Sequence, residues 1–271
     1  SSNSTLSMVV SSSRDAIFMV EAGANEVSEE VILEAISKAQ EANSATIDLI
    51  EDLTGKVGKP KATFDYDSAA ADAVIAKVKE TVGSRWDDLL SGNPGMYEMD
   101  DGEKEISALV TDALKDDYSK MAIADGFKAV FREAVRGRIL SQHVRSDGRA
   151  LDQVRPITCD TGILPRTHGT GLFTRGETQV LSIVTVGSLA LKQTLDTVGP
   201  DNTKRFMHHY NFPSYSTGEA RRAMSPGRRE IGHGALAERA ILPVLPSEDE
   251  FPYAIRIVSE CLSSNGSTSM G

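Results

Sequence analysis

Apolar positions along the 271-residue chain change period twice, and each change marks a different kind of element. Leu6 to Ser12 and Ala16 to Ala22 are short runs rich in Val, Ile and Met on either side of the polar Ser13-Arg14-Asp15, which predicts a pair of strands. Ser28 then stands at a helix start, followed by Glu29 and Glu30, where the helix dipole favours carboxylates. Ile32, Ala35, Ile36, Ala39, Ala42, Thr46, Ile47 and Ile50 follow at helical spacing, with an end expected near Gly55 or Gly58-Lys59-Pro60. A hairpin and one helix do not bury a full core. Residues 1–60 therefore read as the C-terminal part of a larger body.

Residues 61–146 have a helical texture. Ser68 to Val82 and Lys104 to Leu114 are Ala-rich or amphipathic, Gly92-Asn93-Pro94-Gly95 interrupts them, and Phe127, Val130, Phe131, Val135, Ile139 and Leu140 fall on one helical face. Trp86 and Tyr97 read as core or hinge aromatics. The segment is an all-helical connector, acidic outside. From Asp147 an α/β pattern takes over: Ile163-Leu164-Pro165 opens a strand region, and Gly171 to Arg175 pairs with Thr178 to Val186 around Gly176-Glu177. Glycine in the first loop position fits a type II′ turn. The second of these strands is apolar on both faces, which predicts cover on each side. A polar loop holding His208-His209 leads to a helix from about Arg228 to Ala240, a strand from Tyr253 to Leu262 and a Ser/Gly-rich turn from Ser263 to Gly271.

Composition adds bounds. With 40% hydrophobic and 25% charged residues, the chain is of the globular class rather than disordered or fibrous. No apolar run approaches the roughly 18 residues of a membrane span, and SSNSTLSMVV lacks the features of a secretory signal, so no membrane association is expected. Cys159 and Cys261 are the only cysteines, which argues against a disulfide framework or zinc site and suits a reducing compartment. The net charge of −10 conceals a division. Positions 65–125 hold 15 acidic against 6 basic residues, whereas 128–155 hold 7 basic against 3 acidic and 201–240 hold 7 against 4. A polyanion would meet the second half of the chain; the alternative is that each block is simply a solvated face.

Two clusters carry candidate chemistry. In Ser225-Pro226-Gly227-Arg228-Arg229-Glu230-Ile231-Gly232-His233-Gly234, adjacent arginines at a helix start oppose the dipole, so they serve stability poorly. Guanidinium forks and helix N-terminal N–H groups match phosphate oxygens, and an anion held there would reverse the balance. The bland alternative is a solvated basic helix start. The second cluster, Ser263-Ser264-Asn265-Gly266-Ser267-Thr268-Ser269-Met270-Gly271, follows a strand and offers hydroxyls and backbone N–H groups for a nest-type phosphate cradle, or else is a flexible connector. It does not match the P-loop pattern. His233 lies one helical turn from the arginine pair, where it either contacts a phosphate or RNA end or is structural. No histidine has metal-ligand spacing, and neither a Ser-His-Asp order nor Gly-x-Ser-x-Gly is legible.

Several longer stretches resemble one family in order. Leu164-Pro165-Arg166-Thr167-His168-Gly169 and Leu172-Phe173-Thr174-Arg175-Gly176-Glu177-Thr178-Gln179 resemble the opening of the second RNase PH-like domain of the polynucleotide phosphorylase family. His209 to Pro213, Arg228 to Gly234, Phe251-Pro252-Tyr253, Ser259-Glu260 and Ser264 to Met270 continue the match. The resemblance is close over 147–271. Before that it rests on order and length, with 1–60 matching the end of the first RNase PH-like domain and 61–146 the helical linker. It implies an α+β fold in which RNase PH-like (ribosomal protein S5 domain 2-like) bodies are joined by an all-helical domain, the second body being truncated.

The same resemblance implies a phosphate-dependent 3′→5′ exoribonuclease, reversible as template-independent RNA polymerisation and serving mRNA degradation. The alternative is an inactive RNA-binding or ring-forming subunit of the same fold. Arg228 and Arg229 match the family's arginine pair, His233 its histidine near the scissile end, and Ser267, Thr268 and Ser269 its phosphate-binding loop. Inorganic phosphate is the implied co-substrate and Mg2+ or Mn2+ the implied cofactor, its carboxylates expected beyond Gly271. The implied partners are a single-stranded RNA 3′ end, two further copies in a homotrimer ring and other RNA-degradation proteins. The implied location is the bacterial cytoplasm, with an organelle as the alternative. The fragment alone is expected to be inactive.

Overall fold

The computed structural model describes residues 4–63, 67–196, 202–222 and 225–271. The chain divides into two compact units, 1–66 and 67–271. In the first, β1 (Leu6–Ser12) pairs antiparallel with β2 (Ile17–Ala24), and α1 (Glu29–Val57) follows. Ser28 occupies the N-cap of α1 but makes no side-chain cap hydrogen bond, and Gly58 is the C-cap. The helix is fastened by polar contacts: Asn43 Nδ2 donates to Val10 O at 3.2 Å and to Ser12 Oγ at 2.9 Å. Arg14 reaches Asp48 at 2.7 Å and Glu51 at 2.8 Å. No residue of α1 is buried, as expected where a hairpin and one helix face each other.

The second unit opens with α2 (Ser68–Val82), α3 (Arg85–Ser91), α4 (Met96–Leu114) and α5 (Lys120–Gln142). Asp67 caps α2 by accepting from Ala70 N at 2.9 Å, and Ser119 caps α5 by accepting from Ala122 N at 3.2 Å. The valines at 74, 78 and 82 form one stripe of α2, and they close on Ile106, Val110 and Leu114 of α4 and Ile123, Phe127 and Val130 of α5. Gly126 permits the α2–α5 approach, since a Cβ there would lie 3.2 Å from both Val74 and Val78. Trp86 packs against Phe127 and Phe131 with centroids 5.4 and 4.6 Å away. Tyr97, by contrast, is exposed rather than a core aromatic.

A five-stranded sheet follows, in the order β3-β4-β5-β9-β8. Its strands are β3 (Ile157–Thr161), β4 (Gly169–Arg175), β5 (Thr178–Gly187), β8 (Phe206–Asn211) and β9 (Ala254–Ser263), while β6 (Gln193–Thr194) and β7 (Thr203–Lys204) make a small separate pair. All pairings in the large sheet are antiparallel except β8 with β9. The β4–β5 turn has Gly176 at φ +58°, as a glycine-first hairpin requires.

Three expectations are corrected. Ile163-Leu164-Pro165 lies in the connection between β3 and β4, because Pro165 has no N–H for a ladder. His208 and His209 lie on β8, where Phe206, His208 and Tyr210 alternate with Met207 and His209; the polar histidines masked that period. Cover on both faces of β5 is not found among the described residues. Thr178 and Val180 are buried, but Leu181 and Ile183 on the opposite face are half-buried.

Helix α6 (Arg228–Ile241) lies antiparallel to β8. Glu230 bonds Phe212 N, the Gly234 carbonyl meets His208 Nδ1, and Glu238 accepts from His208 N. Gly234 makes that seat possible: a Cβ would lie 3.3 Å from His208 O and 3.4 Å from Tyr210 N. No helix of the described residues is long and apolar enough to cross a membrane.

Trp86 is the only tryptophan, so its emission reports the helical body. Phe127→Ala, which empties a buried site against that indole, is expected to cost about 3–5 kcal/mol. Urea unfolding followed by Trp86 fluorescence measures it, and a loss below about 1 kcal/mol would mean that the aromatic cluster is not the core of this body.

Candidate active site

The N-terminus of α6 puts two guanidinium groups where backbone N–H groups already concentrate positive potential. Glu230 partly offsets this: its carboxylate accepts from Gly227 N at 2.6 Å and from Phe212 N at 3.2 Å, capping the helix and pinning it to the end of β8. Arg229 stacks over Phe212, its guanidinium carbon 5.1 Å from the ring centroid, and its Nε donates to His233 Nε2 at 3.4 Å. His233 in turn meets the Tyr210 ring edge-on at 5.5 Å. Arg228 is exposed and makes no ion pair or hydrogen bond among the described residues. Beneath this array lies a small apolar floor of Val180, Tyr210, Phe212 and Cys261. Burial pushes the Tyr210 phenol and the Cys261 thiol up, so both stay protonated under the guanidinium groups.

The 263–271 loop leaves the end of β9 and is held at several points. Asn265 N donates to Thr178 Oγ1 at 3.0 Å and Ser264 N to Ser216 O at 2.9 Å. Arg175 donates to Ser267 O at 2.8 Å. Gly266 (φ +72°) and Ser267 (φ +50°) are left-handed, and the right-handed 3-10 turn Thr268–Met270 follows. A left-to-right change of hand turns successive N–H groups toward one side, the geometry of an anion nest. The N–H groups of Ser267, Thr268 and Ser269 have no hydrogen-bond partner among the described residues. A serine held left-handed is a local strain, of about 1–3 kcal/mol. Thr268 differs from its neighbours: it is only 2% exposed, and its hydroxyl bonds the Ser264 hydroxyl. Ser267 is exposed and Ser269 half-buried.

The two clusters come to one end of the sheet for a topological reason. Because α6 runs antiparallel to β8 and β8 runs parallel to β9, the start of α6 and the loop after β9 lie at the same sheet end. They also share a face. Tyr210 pairs with Ser259, Cys261 with Val180 and Val180 with Phe173, so these side chains point the way α6 lies. The loop folds back over that face, where a Cβ on Gly271 would touch the Phe173 ring at 3.2 Å. Arg229 and His233 are in contact; no direct contact joins either arginine to Ser267, Thr268 or Ser269. Ser267 and Gly266 line a cavity with Arg145, Arg149, Arg155 and Arg175, so the cations nearest the loop come from other elements than α6. Tyr210, Phe212, Asn265, Arg175 and Glu177 were given no role by the sequence, since the contacts that fix them join residues far apart in the chain.

Carboxylates near the site are engaged elsewhere: Glu230 with the two N–H groups named above and Glu260 with Asn211 Nδ2 at 2.6 Å. Among the described residues no three His, Cys, Asp or Glu side chains come together as a metal site. A hard divalent ion wants several carboxylate oxygens, so the residues present do not fit one.

Residues 153–270, which hold the five-stranded sheet, α6 and the Ser/Thr loop, match the model of the 3′ exoribonuclease family, domain 1. The whole chain aligns with polyribonucleotide nucleotidyltransferases. It is 42% identical over 287 residues to that of Moorella thermoacetica, with 100% of this chain and 38% of the relative covered. It is 44% identical over 280 residues to that of Natranaerobius thermophilus (99% and 39%) and 46% over 278 to that of Pelotomaculum thermopropionicum (99% and 38%). Over nearly its whole length the chain is similar to these polyribonucleotide nucleotidyltransferases, and it spans under two fifths of their length.

On the same face, His208 is half-buried between Gly234 O at 3.2 Å and Ser259 Oγ at 3.0 Å, and Ser259 bonds Ser182 at 2.7 Å. Burial pushes its pKa below the ordinary 6.5. The unfolded chain therefore binds the proton more readily, and stability present above pH 6.5 falls as pH drops toward the folded-state value. Thermal unfolding at pH 7 and pH 5 should show a smaller loss for His208→Gln than for the unsubstituted protein. Equal losses would remove His208 as the titrating group.

Proposed function

We propose that this chain supplies the phosphate-holding part of a phosphorolytic 3′→5′ exoribonuclease that releases nucleoside diphosphates from RNA and runs in reverse as template-independent RNA polymerisation. One observation supports the reading: the start of α6 and the loop after β9 lie at one end of one sheet. An oxygen of inorganic phosphate attacks the phosphorus of the last phosphodiester. That phosphorus–oxygen bond forms while the bond to the preceding 3′ oxygen breaks, and the oxygen leaves as a 3′-hydroxyl once protonated. Two anions must approach, and two unit charges 4 Å apart repel by about 4 kcal/mol near a protein surface. Fixed donors that cost no reorganisation are the remedy.

In this reading the N–H groups at 267–269 and the Ser267 and Ser269 hydroxyls hold the attacking phosphate. Thr268 acts through Ser264, fixing the turn. Arg228 and Arg229 neutralise the scissile phosphate, and His233, held by Arg229 Nε, bonds the RNA end at the leaving oxygen. The family's divalent ion, Mg2+ or Mn2+, would add Lewis-acid stabilisation, but the described residues of this chain do not form its site. The partners of the full-length enzyme in this reading are a single-stranded RNA 3′ end, two further copies in a ring and other RNA-degrading proteins. The compartment is the bacterial cytosol and the role mRNA turnover.

In a full-length enzyme carrying this stretch, Arg229→Ala should slow phosphate-dependent release of nucleoside diphosphates from poly(A) more than tenfold, since a charge-assisted contact is worth about 1.5–3 kcal/mol. An unchanged rate would make the pair surface charge. Salt-sensitive RNA binding without turnover by the unsubstituted enzyme would instead favour an inactive RNA-binding subunit.

A further inference from the structure

We infer that Glu177, on the β4–β5 turn, is a positioning residue that ties the anion-holding loop to the helical body, so that the docking of α4 sets the loop's affinity for phosphate. The inference rests on the reading of 267–269 as a phosphate cradle. The Glu177 carboxylate is shared. Asn265 Nδ2 donates to its Oε2 at 2.6 Å, while Met96 N donates to Oε2 at 3.1 Å and lies 3.3 Å from Oε1. The turn grips the loop a second time, because Ser263 Oγ donates to Glu177 O at 2.7 Å.

Met96 is the first residue of α4, with an N–H that the helix itself leaves unbonded. A carboxylate at that position also meets the positive end of the helix dipole. Gly95 makes the approach possible: a Cβ there would lie 3.2 Å from Glu177 Oε1. One carboxylate thus joins a helix start in the linker to a side chain two residues before Ser267. Arg175, on the other side of the same turn, holds Ser267 O. A shift of α4 against the sheet moves the acceptor that Asn265 depends on, and with it the hand change at Gly266 and Ser267.

The test uses a full-length enzyme carrying this stretch, with phosphorolysis of poly(A) measured against inorganic phosphate. Glu177→Ala and Asn265→Ala should each raise KM for phosphate about fivefold or more while leaving kcat and KM for poly(A) within about twofold, and the double variant should be no worse than either single one. Glu177→Gln, which keeps one acceptor oxygen, should recover part of the effect. Met96→Pro removes only the N–H at a first helical position that tolerates proline, and it should raise KM for phosphate too; an unchanged value would cut the link to the helical body. Should Glu177→Ala fail to fold, Asn265→Ala and Met96→Pro carry the test. A phosphate KM unmoved by Asn265→Ala, beside an Arg229→Ala variant that has lost activity, would overturn the inference and leave the proposed function standing. If Arg229→Ala is itself fully active, the proposed function falls with it.

Discussion

The seating of α6 on β8 decides where every charged group of the site ends up. Gly234 lets the helix backbone lie against the strand, and Glu230 and Glu238 bond backbone N–H groups of Phe212 and His208 from opposite ends of the helix. The helix therefore cannot slide along the strand without breaking both of these part-buried hydrogen bonds. With α6 antiparallel to β8 and β8 parallel to β9, the arginines and the Ser/Thr loop must share an end of the sheet. A single parallel pair in an otherwise antiparallel sheet is what puts residues near 230 and near 267 at the same sheet end.

The site is then a set of donors with little countercharge. Arg228 has no acid partner among the described residues, Arg229 spends itself on an aromatic face and an imidazole, and Glu230 turns its oxygens to backbone N–H groups. Such an arrangement stores unfavourable electrostatics that an anion relieves. The left-handed Ser267 stores backbone strain a few residues from the floor. Both costs are carried by the surrounding pins: Thr178 and Arg175 from the hairpin, Ser216 from the turn after β8 and Ser264 within the loop. For the proposed function, these hydrogen bonds would preorganise the loop before an anion binds.

Much of this was legible because it is local. The α6 start announced itself through Pro226 and the misplaced arginines, and the hairpin through a glycine at the first position of a two-residue loop. The loop's chemistry lay in its run of hydroxyls. What escaped was non-local. His208 and His209 read as polar loop because two adjacent polar residues interrupt the apolar alternation of Phe206 and Tyr210, and only the pairing with β9 reveals the strand. Thr268 reads like its serine neighbours in sequence, yet its hydroxyl faces Ser264 rather than open space. Glu177 looked like a turn residue, and its partners Met96 and Asn265 lie far away along the chain. Ile163-Leu164-Pro165 misled in the opposite sense, apolar enough for a strand but stopped by a proline.

The most direct test is a crystal structure of the full-length enzyme with inorganic phosphate bound and no RNA. The expected result is one phosphate at the sheet end shared by α6 and the 263–271 loop, bonded on one side by N–H groups of Ser267 to Ser269 and on the other by Arg228 or Arg229. A phosphate held by the loop with both arginines turned away, or by the arginines with the loop's N–H groups facing solvent, would contradict it.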